Sequence, residues 1–154
     1  MMQIVQTTDY ETIARLNRHV HEVHVRLYPD YFKEYEYEPI KQFFAAMVTK
    51  PSHVFFLAGV QGEPVGYAWI ELKAYAGNAF MKPYRSVFIH QISISQSHRS
   101  QGYGSRLLET IDEFARNNEA VKVELDYWAA NAMARDFYAK NGYTIYREFV
   151  YKEL

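Results

Sequence analysis

The segment Arg99-Ser100-Gln101-Gly102-Tyr103-Gly104 joins a β-rich run, Ser86 to Ser95, to an amphipathic run, Gln101 to Asn118. Apolar residues of the second run recur every three or four positions and predict one buried helical face: Leu107, Leu108, Ile111, Phe114 and Ala115. A strand, a short glycine-containing turn and a helix are therefore expected in succession. Because a helix N-terminus exposes unpaired amides and the positive end of the helix dipole, the turn predicts a seat for phosphate oxygens.

The two glycines of this turn suit that role. Gly102 and Gly104 lack a Cβ, so the backbone can adopt unusual φ values and approach an anion closely, and Arg99 adds a charge able to contact phosphate. The alternative is a tight turn with no ligand. The segment has neither the Gly-Lys-Ser/Thr of a nucleoside triphosphate loop nor the third glycine of a dinucleotide loop. The pattern thus favours another pyrophosphate-bearing ligand.

The rest of the chain predicts alternating strands and helices. The runs His53 to Val60 and Glu63 to Leu72 flank Gln61-Gly62 and predict an antiparallel hairpin, with a loop from Ala74 to Arg85. The strand, helix and strand from Ser86 to Tyr127 predict parallel neighbours, so the sheet should be mixed. Further strands are expected at Met2 to Thr7, Val121 to Tyr127 and Tyr143 to Lys152, and further helices after Asp9 and over Pro39 to Val48 and Asn131 to Lys140.

Length and composition limit the possible functions. A chain of 154 residues matches one domain, residues 1–154, and 17 basic against 18 acidic residues give no field suited to nucleic acid or an anionic membrane. The absence of cysteine excludes a thiolate nucleophile and cysteine-rich zinc sites. Because no signal peptide or apolar run of about 20 residues is present, we expect a soluble, cytoplasmic protein.

Two segments together resemble one known family. Arg99-x-x-Gly102-x-Gly104, after a strand ending Ile92-Ser93-Ile94, is similar to the acyl-CoA signature of the GNAT-type N-acetyltransferase superfamily. A later segment, from Asn131 to Tyr143, is similar to the second motif of that family, with Asn opening a helix, a Phe-Tyr pair within it and Asn-Gly-aromatic after it. The resemblance is clear from about Val87 to the C-terminus and is topological before it.

The resemblance implies a fold and an activity. The fold is a single α/β (α+β) domain with a mixed, mostly antiparallel sheet of six or seven strands and helices on both faces. The activity is direct transfer of an acetyl group from acetyl-CoA to a primary amine of unknown identity, without a metal, and a homodimer is a habit of the family. The alternatives are a non-catalytic acyl-CoA-binding sensor and a structural domain with chance glycines, which CoA would not stabilise.

The resemblance also assigns residues to the acyl-CoA site. The loop would hold the phosphates through Arg99, Gln101, Gly102, Tyr103, Gly104 and Ser105. The backbone of Ile92, Ser93 and Ile94 would pair with the pantetheine arm, as a strand does, and these residues can pack in the sheet as well. Asn131 would contact the pantetheine or CoA, or would cap the helix that follows it.

Catalytic residues are implied in the same way. Tyr138 matches the family's general acid toward the departing thiolate of CoA, and packing in the core is the alternative. Many members place an acidic base on the fourth strand, where this chain has His90 and Gln91. His90 can take a proton near neutral pH, directly or through water, or it can be a hydrogen-bonded sheet histidine. Glu71 on the preceding strand is a further candidate base.

Two other groups of residues are candidate ligand sites. His19, His21 and His24 suggest a metal site, but the spacing of His21 and His24 is not that of a zinc protease helix. His21 and His24 can share one face of a helix, and no third ligand for that face is evident. A group of aromatic residues can form the wall of an acceptor cleft, or simply pack or form a dimer contact: Tyr28, Tyr31, Phe32, Tyr35 and Tyr37.

Overall fold

The computed structural model describes all 154 residues. Five strands and four α-helices follow one another along the chain: β1 Met2–Thr7, α1 Tyr10–Leu27, α2 Tyr37–Met47, β2 His53–Val60, β3 Glu63–Tyr75, β4 Tyr84–Ile94, α3 Tyr103–Asn117, β5 Lys122–Glu124 and α4 Ala132–Lys140. The strands form one sheet in sequence order. No helix is both long and apolar enough to cross a membrane.

The first four strands are antiparallel, as the hairpin predicted. Gln61 and Gly62 have φ values of 52° and 81°. Positive φ at both central residues is what the favoured two-residue hairpin turn requires, here between Val60 and Glu63. The strands β2 and β3 cover the two β-favouring runs on either side of this turn, and β4 pairs with β3 from Tyr84 to Ile94. The predicted hairpin and the mixed sheet are confirmed.

The fifth strand is much shorter than expected. The prediction of a strand from Val121 to Tyr127 is wrong outside Lys122–Glu124, which pairs in parallel with Ser86, Val87 and Phe88 of β4. The Val121 amide still donates to the carbonyl oxygen of Arg85 at 2.9 Å, but 71% of the residue is exposed and its side chain is not part of the core. As a result, the edge of β4 beyond Phe88 has no neighbouring strand on that side.

The C-terminal segment is not a strand. A strand was expected over Tyr143 to Lys152, but no backbone hydrogen bond joins this segment beyond Tyr143 to the sheet, and Ile145, Phe149 and Tyr151 are exposed. A strand requires a partner edge, and the three residues of β5 offer too short a ladder for it. The sheet therefore has five strands, and the expectation of six or seven is wrong.

Helices cover both faces of the sheet, as expected. Alternate residues of β2 and β3 point to opposite faces, because the side-chain period of a strand is two. Phe55, Tyr67 and Trp69 form a core with α1 and α2, whereas Phe56, Ala68 and Ile70 belong to the larger core on the other face. That larger core includes Leu107 and Ile111 of α3 and Tyr138 of α4.

Candidate active site

The turn before α3 leaves amides unpaired. Gly102 is the N-cap of α3 with φ of 78°, and Ser100 also has a positive φ of 60°. No side chain caps α3, and no backbone carbonyl accepts a hydrogen bond from the amides of Tyr103, Gly104 or Ser105. These free N–H groups and the positive end of the helix dipole can hold an anion. Phosphate binding at the turn stays a prediction.

The two glycines of the turn have different structural reasons. A Cβ at Gly102 would meet no atom within 4 Å, so its left-handed φ is what favours glycine there. A Cβ at Gly104 would lie 3.0 Å from two carbons of the Phe137 ring. Gly104 therefore allows α4 to pack against the start of α3, which differs from the reason inferred from the sequence.

Arg99 ties the turn to its surroundings. Its Nε donates a hydrogen bond of 3.3 Å to the carbonyl oxygen of Ile94, and its Nη2 contacts Nε2 of His19 on α1. Burial, together with the positive charge of Arg99, lowers the pKa of His19, which favours the neutral ring that can accept from a guanidinium. The sequence did not suggest this link, and contact of Arg99 with phosphate stays a prediction.

The end of β4 presents an open backbone edge beside the turn. Ser93 and Ile94 are buried and pair with Tyr67 and Gly66 of β3, so their side chains are part of the sheet core. A Cβ at Gly66 would lie 2.4 Å from the carbonyl oxygen of Ser93, so glycine is required for this close pairing. Because β5 ends opposite Phe88, the other edge of this segment can pair with an extended ligand.

Tyr138 lies on the buried side of α4. The rings of Phe137, Tyr143 and Tyr127 surround it at centroid distances of 5.1, 5.4 and 6.3 Å. Burial raises the pKa of its hydroxyl well above that of an ordinary tyrosine, so the group stays a neutral phenol and can donate a proton or a hydrogen bond.

The hydroxyl of Tyr138 differs from that of its neighbour Tyr143. The fully enclosed hydroxyls without a partner are those of Ser86 and Tyr143, and Tyr138 is not among them.

Asn131 is the N-cap of α4, and its Oδ1 accepts from the amide of Ala134 at 3.1 Å. The capping role of Asn131 is thus present, and a contact with CoA stays a prediction.

His90 is placed by a bulge in the sheet. Trp69 pairs with Gln91 and Ile70 pairs with Ile89, so His90 has no pairing partner on β3. Bulges re-aim side chains, and here the His90 ring stacks on Trp69 at a centroid distance of 4.4 Å. Gln91 is engaged elsewhere, since its Oε1 accepts from the hydroxyl of Tyr67 at 2.6 Å.

His90 and Glu71, the two candidate bases, are hydrogen-bonded to each other. His90 Nε2 lies 2.8 Å from Glu71 Oε1, and both side chains are partly buried. A carboxylate only accepts, so Nε2 carries the hydrogen and the lone pair of the neutral ring is on Nδ1. A carboxylate that fixes the tautomer of an imidazole in this way makes it a better-defined proton acceptor.

A third side chain, which the sequence analysis missed, completes this cluster. His53 Nε2 lies 3.8 Å from the same oxygen of Glu71, and Trp69 Nε1 donates to His53 Nδ1 at 2.9 Å. The ligand atoms of His53, Glu71 and His90 all lie within 4.8 Å of one another, which is a distance compatible with a metal ion.

Hydrogen bonding favours a proton network over a metal at this cluster. The His53 and His90 rings have an interplanar angle of 21° and centroids 5.6 Å apart. His90 already donates its Nε2–H to Glu71, so that nitrogen has no lone pair for an ion. The hydrogen bond from Trp69 also assigns the hydrogen of neutral His53 to Nε2, the atom that would have to bind the ion.

The other histidines and the aromatic group lie elsewhere. His21 Nε2 contacts the carbonyl oxygen of Lys33 at 2.6 Å, and the ring of His24 stacks on Phe32 at 5.0 Å. His21 also lies beside Phe32, at a centroid distance of 6.1 Å, whereas His19 contacts Arg99. The three histidines do not form a group of three metal ligands. The aromatic rings of Tyr28, Tyr31 and Phe32 surround Trp128, which follows β5 and which the sequence analysis did not include.

Comparisons with known proteins agree with this geometry. An uncharacterized N-acetyltransferase of Lactobacillus delbrueckii subsp. lactis is 29% identical over 104 residues, which are 68% of this chain and 59% of that protein. The matched part is 57% of the length of another relative, an uncharacterized N-acetyltransferase of Bacillus subtilis, so the chain spans less than two thirds of each of these proteins.

Solved structures share the fold over the whole chain. A tetramutant of a Bacillus halodurans protein has a TM-score of 0.91 at 24% identity, covering 100% of this chain and 99% of that one. An aminoglycoside N-acetyltransferase in complex with CoA has a TM-score of 0.72 at 15% identity, covering 100% and 95%. The sequence profile of the acetyltransferase (GNAT) family matches residues 17–143. Since that range runs from within α1 to Tyr143, beyond the end of α4, and includes both motif segments, the chain belongs to the GNAT acetyltransferase family.

Proposed function

We propose that this protein transfers an acetyl group from acetyl-CoA to a primary amine. The observation that carries the proposal is the uncapped start of α3, whose free amides lie directly after a strand with an open edge. Phosphates fit the first feature and an extended pantetheine arm fits the second. A related fold has been solved with CoA bound, which supports the same ligand here.

In the proposed reaction, the residues of this chain act on a donor that lies in the opening between β4 and β5. His90 approaches from the face of the sheet that α1 and α2 cover, since it stacks on Trp69 of that core. Tyr138 belongs to the core on the opposite face. Two catalytic side chains on opposite faces can act on the two sides of one thioester, where the amine enters and the sulfur leaves.

The proton balance assigns one step to each side chain. An alkyl ammonium ion has an ordinary pKa near ~10.4, so the acceptor must lose a proton before it attacks. Nδ1 of His90 takes that proton, and the carboxylate of Glu71 stabilises the imidazolium that results. The C–N bond forms, the C–S bond breaks, and the hydroxyl of Tyr138 donates to the departing sulfur. The nitrogen loses its second proton to solvent as it becomes an amide, and the Tyr138 oxygen takes a proton back from solvent, so that one proton is released overall.

Two substitutions test the base. We expect His90→Gln and Glu71→Gln each to lower kcat for acetyl transfer by about 100-fold, with little change in the Kd for acetyl-CoA. The Glu71→Gln variant keeps the size of the side chain but replaces an acceptor-only carboxylate by an amide, so it removes the group that fixes the tautomer of His90. Wild-type rates in both variants would exclude this base.

The second candidate function is an acyl-CoA sensor. The hydrogen-bonded His90 and Glu71 favour the transferase, because a sensor needs no proton acceptor beside the ligand. A mass-spectrometric screen of amines, amino acids, aminoglycosides and peptide N-termini with acetyl-CoA separates the two functions and identifies the acceptor. CoA binding without transfer to any acceptor would support the sensor.

A further inference from the structure

A row of three side chains crosses three adjacent strands beside the candidate base. His53 of β2 pairs directly with Glu71 of β3, and the bulge brings His90 of β4 to the same carboxylate. Three nitrogen atoms converge on Oε1 of Glu71: His90 Nε2 at 2.8 Å, His53 Nε2 at 3.8 Å and Lys73 Nζ at 4.0 Å. His90 is within hydrogen-bond distance of the carboxylate, and His53 and Lys73 lie just beyond it.

Trp69 determines which nitrogen of His53 carries the hydrogen. An indole N–H is a donor only, so the Nδ1 atom that it approaches at 2.9 Å must accept. The hydrogen of neutral His53 is therefore on Nε2, directed at Glu71. Burial lowers the pKa of His53, with smaller contributions from His90, Lys50 and Lys73, while Glu71 acts in the opposite direction. A neutral His53 leaves the negative charge of Glu71 for His90.

We propose that His53, oriented by Trp69, is a positioning residue that holds the Glu71 carboxylate against His90. The inference rests on the proposed transferase function and adds two residues that act through Glu71 and His90 and not on the substrates. In this arrangement Trp69 donates to His53, Nε2 of His53 faces Oε1 of Glu71 at 3.8 Å, and the second imidazole, His90, is left with its free lone pair on Nδ1.

Three variants separate this role from packing. Trp69→Phe removes the indole N–H and keeps an aromatic ring beside His90. His53→Leu removes both hydrogen-bonding atoms, whereas the amide of His53→Gln can still accept from Trp69 and donate to Glu71. We expect kcat to fall about 10-fold in Trp69→Phe and His53→Leu with KM for acetyl-CoA unchanged, and His53→Gln to recover most of the loss. Equal rates in all three variants, or equal losses, would overturn the proposal.

A measurement of tautomers tests the same arrangement without activity. Long-range ¹H–¹⁵N spectra of the imidazole rings should show Nε2–H for both His53 and His90 in the wild-type protein, and Trp69→Phe should convert part of His53 to the Nδ1–H form. Nδ1–H on either ring of the wild-type protein would overturn the proposal. If the amine screen finds no acceptor, the function fails while these spectra still decide the arrangement.

Titration with Zn²⁺ alone provides the last control. Because Nε2 carries the hydrogen in both His53 and His90, we expect no tight binding at this cluster, and the heat of titration should be the same for wild type and His53→Leu. Submicromolar Zn²⁺ binding that His53→Leu abolishes would assign the cluster to a metal and overturn the positioning role.

Discussion

Tyr138 and Tyr143 are neighbouring rings whose hydroxyls have different surroundings. Their centroids are 5.4 Å apart, and burial raises the pKa of both hydroxyls, with the charge of Asp112 adding to the effect on Tyr143. The hydroxyl of Tyr143 is enclosed and has no partner, which costs stability. The pair therefore offers a candidate catalytic residue and a matched control within one core.

We predict that Tyr138→Phe lowers kcat for acetyl transfer by about 100-fold and leaves the Kd for acetyl-CoA unchanged, because the variant loses only the donor to the leaving sulfur. Tyr143→Phe removes the same atom from the adjacent ring and should keep the wild-type rate, with equal or higher Tm. Steady-state kinetics and calorimetric binding check both statements. A rate for Tyr138→Phe within about threefold of wild type would place Tyr138 in the core alone.

Single residues were predictable where a motif marks them and not where the sheet arrangement decides. The sequence suggested His90 and Glu71 as candidate bases, and the structure brings them together. His53 was missed because the hairpin turn, counted back from Val60 and Glu63, places it opposite Ile70. The irregularity between Ala58 and Gly59 shifts the register by one residue and brings Glu71 opposite His53 instead.

The contact between α3 and α4 depends on one missing side chain. The ring of Phe137 lies against Gly104, so the helix that carries Tyr138 packs on the start of the helix that would hold the phosphates. The close approach couples the candidate phosphate seat to the candidate acid. Because Phe137 fills the space where a Cβ of residue 104 would lie, glycine is needed at this position for helix packing.

We predict that Gly104→Ala lowers both the Tm and the affinity for CoA, because its Cβ displaces Phe137 and with it α4. Adding Phe137→Leu to that variant should recover much of both losses, since the smaller side chain makes room. Gly102→Ala is the matched control: its Cβ meets nothing, and the cost is about 1–2 kcal/mol from the left-handed φ alone. Recovery of Tm without recovery of CoA affinity in the double variant would mean that the Cβ of residue 104 faces the ligand.

Helices and strands were predictable in proportion to their local signals. The hairpin at Gln61 and Gly62 and the amphipathic helix α3 follow from turn chemistry and a 3.6-residue period, and both are confirmed. The C-terminal run is rich in the aromatic and β-branched residues that strands favour, but a strand also needs a partner edge, and β5 is only three residues long. Composition cannot show where that edge ends.

Partly buried histidines make the stability of the fold depend on pH. Burial lowers the pKa values of His19, His24 and His53. These rings are neutral in the folded protein at a pH where the unfolded chain, with an ordinary histidine pKa near ~6.5, binds protons. Below about pH 6.5 the unfolded state therefore binds more protons than the folded state, and the free energy of unfolding falls as the pH falls.

We predict that Tm decreases steadily from pH 7 to pH 5, with each such histidine contributing at most about 1.4 kcal/mol per pH unit. His24, whose ring stacks on Phe32 and which has no part in the proposed reaction, gives the cleanest variant. His24→Gln should flatten the decrease, because a side chain that does not titrate has been placed in the same site. Calorimetry across this range checks the slope, and a Tm that is constant or rises on acidification would be inconsistent with buried neutral histidines.

The central claim is that acetyl-CoA lies between the start of α3 and the open edge of β4, with His90 and Tyr138 on either side of its thioester. The most direct test measures released CoA thiol and acetylated amine together, for wild type and Tyr138→Phe, over the acceptor panel. We expect equal amounts of the two products from wild type, and about 100-fold slower formation of both by the variant at the same CoA affinity. Tight CoA binding by wild type with neither product formed, or equal rates in the two proteins, would contradict the account.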